Sequence, residues 1–126
     1  MPTTGSPIGA GTQGSKIARI AAWSLAAAIV ILSLVPPAQR PETSAPHNLE
    51  HVIIYAATGF AFGLGYKRRH YLLAVLLVLF SSAIEIAQLF VPGRHARLSD
   101  LIIDAVAASV GLVMSSLLSL ARARIQ

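Results

Sequence analysis

The chain has 126 residues, of which 55% are hydrophobic and 12% charged, and it carries a formal net charge of +5. Soluble domains carry about 25% charged residues, and 10 basic plus 5 acidic side chains are too few to give a core of this size a wettable shell. A water-soluble domain is therefore excluded, in line with the mean hydropathy of +0.67. The absence of cysteine excludes disulfides, thiolate catalysis and Cys-ligated zinc or iron–sulfur sites.

Residues 1–15, MPTTGSPIGAGTQGS, hold four of the nine glycines and two of the seven prolines and no charge. Such a stretch buries too little surface to order itself and is expected to be a disordered cytoplasmic tail. Residues 16–126 then read as one membrane domain of four spans. The first, about 17–35, starts behind Lys16 and Arg19 and stops at Pro36-Pro37. A cleaved signal peptide is the competing reading, but the apolar stretch is long, and prolines stand where small residues should mark cleavage. Residues 38–48, with Pro41 and Pro46, form a polar loop. The second span, about 49–66, has Glu50 and His51 at its start and no charge from Val52 to Tyr66. Lys67-Arg68-Arg69-His70 is a basic turn before the third span, about 71–91, whose single charge is Glu85. Pro92-Gly93 signals a turn. The fourth span, about 100–121, has Ser99 placed as its cap, Asp100 in its first turn and Asp104 one turn deeper. The fold class is thus all-α, an integral membrane bundle of four antiparallel transmembrane helices.

Basic residues set the orientation. Lys16, Arg19, Lys67, Arg68, Arg69, Arg122 and Arg124 share one side, against Arg40, Arg94 and Arg97 on the other. Seven against three puts both termini in the cytoplasm of an inner-membrane protein. The positive balance is then a topology signal. A nucleic-acid partner is not expected, because these residues alternate with apolar runs instead of forming one wettable face. Trp23, Tyr66 and Tyr71 fit an interfacial aromatic belt, and His70 belongs to the basic turn. Phe60, Phe62, Phe80 and Phe90 face lipid or pack.

The acids fall toward the opposite side. Glu42 and Glu50 lie in or beside the first outer loop, and Asp100 begins the fourth span. Glu85 sits six residues from the outer end of its helix, roughly 9 Å deep at 1.5 Å per residue. An ionisable residue within a span costs several kcal/mol unless it faces the bundle and finds a partner. Spacing supplies the partners: Glu85 and Gln88 at i, i+3, Asp100 and Asp104 at i, i+4, and His51 and Tyr55 at i, i+4 put a polar face on three helices at one depth. Arg94, His95 and Arg97 lie in the loop beside them. Gly59-x-x-x-Gly63 and the series Asp104, Ala107 or Ala108, Gly111, Ser115 would let these helices approach.

The set Glu85-x-x-Gln88, Pro92-x-Arg94, Asp100 and Gly111, with His51-x-x-x-Tyr55 upstream, resembles the VanZ-like family of membrane proteins over about residues 49–112. The family's Asp-Lys ahead of the histidine falls on His47 and Asn48, its Asn one turn after the aspartate is Asp104, and its next glycine is Ala107. The resemblance implies a small multi-span envelope protein, with a namesake associated with resistance to the glycopeptide teicoplanin, and no established reaction.

Three readings of the cluster compete. Glu85, Arg94, Asp100 and Asp104 could lock the third and fourth helices, the Pro92–Asp100 turn folding the arginine back over its own helix pair. The same groups, with His51, Tyr55, Gln88 and Arg97, could bind a phosphate-bearing lipid or cell-wall-precursor headgroup. A metal-assisted phosphoesterase or transferase on a lipid-linked substrate is the third, but no short metal signature occurs, so neither a metal nor any other cofactor is assigned. Ser81, Ser82 and Ser99 lie in no nucleophile-elbow context. The expected partners are membrane lipids and a lipid-linked envelope precursor. Four short helices enclose little space, so a transporter or channel would need a second copy.

Overall fold

A computed structural model describes residues 8–40 and 44–125. Glu42 and Pro41 of the first loop and residues 1–7 of the expected tail lie outside the described residues. The described chain forms four long helices and no strand: α1 (Ile8–Leu34), α2 (His47–Gly65), α3 (His70–Gln88) and α4 (Leu98–Ile125), with a 3-10 turn at Pro37–Gln39. Three of them, α1, α3 and α4, are long and apolar enough to cross a membrane.

α1 starts inside the stretch expected to be a tail, so residues 8–15 are helical. Propagating an existing helix adds one hydrogen bond for each residue fixed, and Ser15 gains a tertiary anchor, its hydroxyl donating to the Gly65 carbonyl at 3.0 Å. α4 begins at Leu98, which puts Ser99 inside the helix; its hydroxyl donates to Asp100 at 3.2 Å and it is not the cap. α4 also runs four residues past the expected 121, to Ile125. Between α3 and α4, Gly93 has φ +79°, a left-handed conformation that favours glycine.

Consecutive helices run antiparallel, which makes α2 and α4 parallel, and these two share the most extensive contact in the bundle. Small residues allow it. A Cβ at Gly59 would collide with the Ala108 carbonyl, and one at Gly111 with the Ala56 carbonyl. Gly63 meets Ser115 further along the same seam. α1 covers α2 from one side with a buried stripe of Ala22, Ala26, Ile29 and Ser33, spaced at helical turns. α3 lies mainly against α4 and touches α1 and α2 sparsely, presenting Leu73, Leu77, Ser81, Ile84, Glu85 and Gln88 inward. α2 is thus the central helix. That position explains its composition: protein covers much of the surface that lipid covers on the others, so three glycines, a threonine and two histidines are tolerated there.

Arginines close two helix ends. The last carbonyls of a helix lack intrahelical partners and carry the negative end of its dipole. Arg19 Nε donates to the Gly65 carbonyl at 2.8 Å, closing α2. Arg94 does the same for α1: Nη2 donates to Leu32 O at 2.6 Å and to Val35 O at 3.2 Å, and Nε donates to Val35 O at 3.3 Å. His70 ties a third junction, with Nε2 3.2 Å from the Gly63 carbonyl and Nδ1 3.1 Å from the Ser116 hydroxyl, so it does more than extend the basic turn.

Candidate functional site

The α2–α4 seam that the small residues close carries polar side chains at its far end. His51 and Tyr55, one turn apart on α2, continue the face of Gly59 and Gly63. Asp104 continues that of Ala108, Gly111 and Ser115 on α4. The parallel packing brings His51 Nδ1 to 2.8 Å from Asp104 Oδ1, with the imidazole N–H donating to the carboxylate. Asp104 is 0% exposed and Tyr55 1%. The His51 and Tyr55 rings stack with centroids 6.1 Å apart, and His47 packs on the other side of His51 at 4.4 Å. From α3 come Glu85, 6% exposed, and Gln88, 4% exposed. Glu85 Oε2 accepts the backbone N–H of Arg97 at 3.2 Å, fastening the turn to α3.

Four polar atoms in this group are buried without a hydrogen-bond partner among the described residues: Tyr55 Oη, Asp104 Oδ2, Glu85 Oε1 and Gln88 Nε2. Leaving such an atom dry costs about 1–3 kcal/mol, more when it is charged. The four atoms come from three helices, α2, α3 and α4.

Above them is a cavity of about 510 Å³ bounded by Arg40, His47, Glu50, Gln88, Arg94 and Asp100, with His95 and Arg97 also on its wall. A second cavity of about 310 Å³ adjoins it between α1 and α2, lined by Ile29, Leu32, Ile54, Tyr55 and His51. Arg40, Glu50 and Arg94 border both. Arg40 donates to Glu50 at 3.0 Å. The exposed guanidinium of Arg97 makes no ion pair among the described residues. Burial lowers the pKa of Arg94 from its usual value; the neighbouring Arg40 charge acts in the same direction and Glu85 opposes it.

Every candidate read from the sequence thus lies in or beside one region, but with two different pairings. Arg94 does not fold back over α3 and α4 to meet the acids. The turn aims it at α1, whose terminal carbonyls attract a cation without requiring a carboxylate to be desolvated. Glu85 correspondingly takes a backbone N–H in place of a guanidinium. Asp100 is half-buried on the cavity wall and Asp104 lies beneath it. Arg40, Glu50 and His47 were missed as wall residues. The only available signal was the i, i+4 spacing of His47 and His51, since the Arg40–Glu50 bridge depends on how the first loop closes. Among the described residues no three His, Asp or Glu side chains come together as a metal-binding set.

A family model described as VanZ/LLP1 matches residues 15–119. The chain belongs to the VanZ/LLP1 family. The match takes in nearly all of the bundle, from the Ser15 anchor to the last turns of α4, and together with the three apolar helices it makes this a VanZ-like membrane protein. Among curated proteins and among solved structures nothing matches. Where the chain departs from the VanZ-like pattern, the structure gives the substitutes a place: Asp104 accepts from His51, His47 packs on that same ring, and Ala107 is buried at 6% exposure.

Proposed function

We propose that this VanZ-like protein binds the phosphate-bearing headgroup of an envelope lipid or lipid-linked cell-wall precursor in the cleft above His51 and Asp104. The carrying observation is that a polar cavity and an apolar recess share the border Arg40–Glu50–Arg94. That arrangement fits an amphiphile, with the headgroup among the arginines and histidines and the chain against Ile29, Leu32 and Ile54. Arginine binds phosphate oxygens bidentately, and Arg97 has its guanidinium free for this. Gln88 and Glu85 supply buried groups that can meet the sugar or peptide part of a headgroup.

The proposal includes an orientation. Seven basic residues at the opposite end support a cytoplasmic position for that end and for both termini. The cleft then opens on the outer face of the inner membrane, where envelope precursors are used. A contribution to glycopeptide resistance belongs to the same proposal, and its readout is teicoplanin susceptibility with and without the chain. The binding test is mass spectrometry of lipids retained by the detergent-purified protein. The wild type is expected to retain a specific phosphate-bearing lipid, and Arg97→Gln to lose it at unchanged thermal stability. The same bulk lipid in both proteins would overturn the proposal.

A further inference from the structure

The other end of the bundle holds a second built site. A cavity of about 490 Å³ lies between the start of α1 and the α2–α3 turn, bounded by Ser15, Lys16, Arg19, Lys67, Arg68 and Arg69, with no acidic side chain among the described residues of its wall. Arg19 is committed to structure: besides closing α2, its guanidinium lies 4.6 Å over the Tyr66 ring. Lys16, Lys67, Arg68 and Arg69 are exposed and form no ion pair among the described residues. Tyr66 and Arg69 also border a further cavity of about 410 Å³ whose wall is apolar: Trp23 from α1, Phe62 from α2, and Leu72, Leu76 and Phe80 from α3. It occupies the gap left where α3 touches α1 and α2 sparsely. Trp23 Nε1 donates to the Tyr66 hydroxyl at 3.2 Å at the junction of the two cavities, a position where amphipathic rings mark the boundary between headgroups and hydrocarbon.

We infer that these joined cavities bind one anionic phospholipid of the leaflet they face, its phosphate on Lys16, Lys67, Arg68 and Arg69 and an acyl chain in the groove between α1 and α3. Charge and shape together select this occupant. Four unpaired cations attract a phosphodiester. A free phosphate ion leaves the adjoining apolar groove unused, and a zwitterionic lipid brings a positive group to a positive wall. The site is separate from the cleft proposed above and stands whether or not that cleft binds a precursor.

The test is native mass spectrometry of delipidated wild-type protein, titrated with phosphatidylglycerol, with phosphatidylcholine of the same chains, and with inorganic phosphate. Phosphatidylglycerol is expected to bind at least ten-fold more tightly than phosphatidylcholine, and millimolar phosphate is expected not to displace it. At roughly five-fold per surface cation, Arg68→Gln with Arg69→Gln weakens phosphatidylglycerol by about 25-fold. Leu76→Trp, which fills the groove from a half-exposed position, weakens it with all the cations intact. Equal binding of the two lipids by the wild type would overturn the inference without reference to any variant. Displacement by phosphate, or full affinity in both variants, would overturn it equally.

Discussion

Asp104 combines complete burial with one used and one unused oxygen: Oδ1 accepts from His51, and Oδ2 has no partner among the described residues. A buried pair contributes little net stability, but removing one member strands the other, at a cost of about 3–5 kcal/mol. Asp104→Leu is therefore expected to lower unfolding stability by that amount, because His51 is left without its acceptor. His51→Phe combined with Asp104→Leu is expected to recover much of the loss, since neither member of the pair is then left without the other. Thermal melts of the two single variants and the double variant measure this as a coupling energy. A strictly additive double variant would show that the pair does not interact. Candidates such as Asp104 were legible in the sequence because helical spacing fixes which side chains share a face: His51 with Tyr55, and Glu85 with Gln88. Partners across elements were not. Arg94 lies about 60 positions from the carbonyls it caps, and no spacing rule reports which helix a turn will aim at. The acids drew attention as partners because charge is visible in a sequence, whereas the dipole end of α1 is a property of the folded backbone.

At the scale of elements, α2 decides the architecture, and it is the helix whose apolarity is least evident. It is 19 residues long and is absent from the three helices apolar enough to cross a membrane, yet it packs most extensively of all. Lipid is as apolar as a leucine surface, so helices gain little by hiding apolar side chains from it; close backbone approach and packing hold them together. Gly59 and Gly111 provide that approach from opposite sides of one seam. Gly111→Val is expected to destabilise the bundle by more than about 2 kcal/mol, because the new side chain meets the Ala56 carbonyl and backbone cannot yield as a flexible side chain does. Val110→Ala, at a half-exposed position next in sequence, serves as the control and is expected to change little. A melting temperature unchanged in Gly111→Val would mean that α2 and α4 lie further apart than described here. The Gly59-x-x-x-Gly63 spacing made this seam readable in advance. The seam's parallel sense follows from chain order alone, once each connection is short enough to force a reversal.

For the whole molecule, the distribution of charge gives the two ends different chemistry. Among the described residues, one end holds Lys16, Arg19, Lys67, Arg68, Arg69, Arg122 and Arg124 and no acid, whereas Glu50, Glu85, Asp100 and Asp104 lie toward the other. Two members of this distribution, Arg19 and Arg94, also close helix ends. Orientation can be tested cleanly because the chain has no cysteine: one introduced thiol reports its own side. Ala38→Cys, exposed in the turn after α1, and Ala123→Cys, exposed near the end of α4, mark the two ends. In intact cells a membrane-impermeant maleimide is expected to label Ala38→Cys and to reach Ala123→Cys only after permeabilisation. Replacing Lys67, Arg68 and Arg69 with Gln reduces the imbalance from seven against three to four against three, and a bias that small is expected to let some chains insert the other way. In that background Ala123→Cys should become partly labelled in intact cells. If it is labelled without the triple replacement, the bundle is inverted, and the arginine-bordered cleft faces the cytoplasm, where an envelope precursor would have to be met before its export.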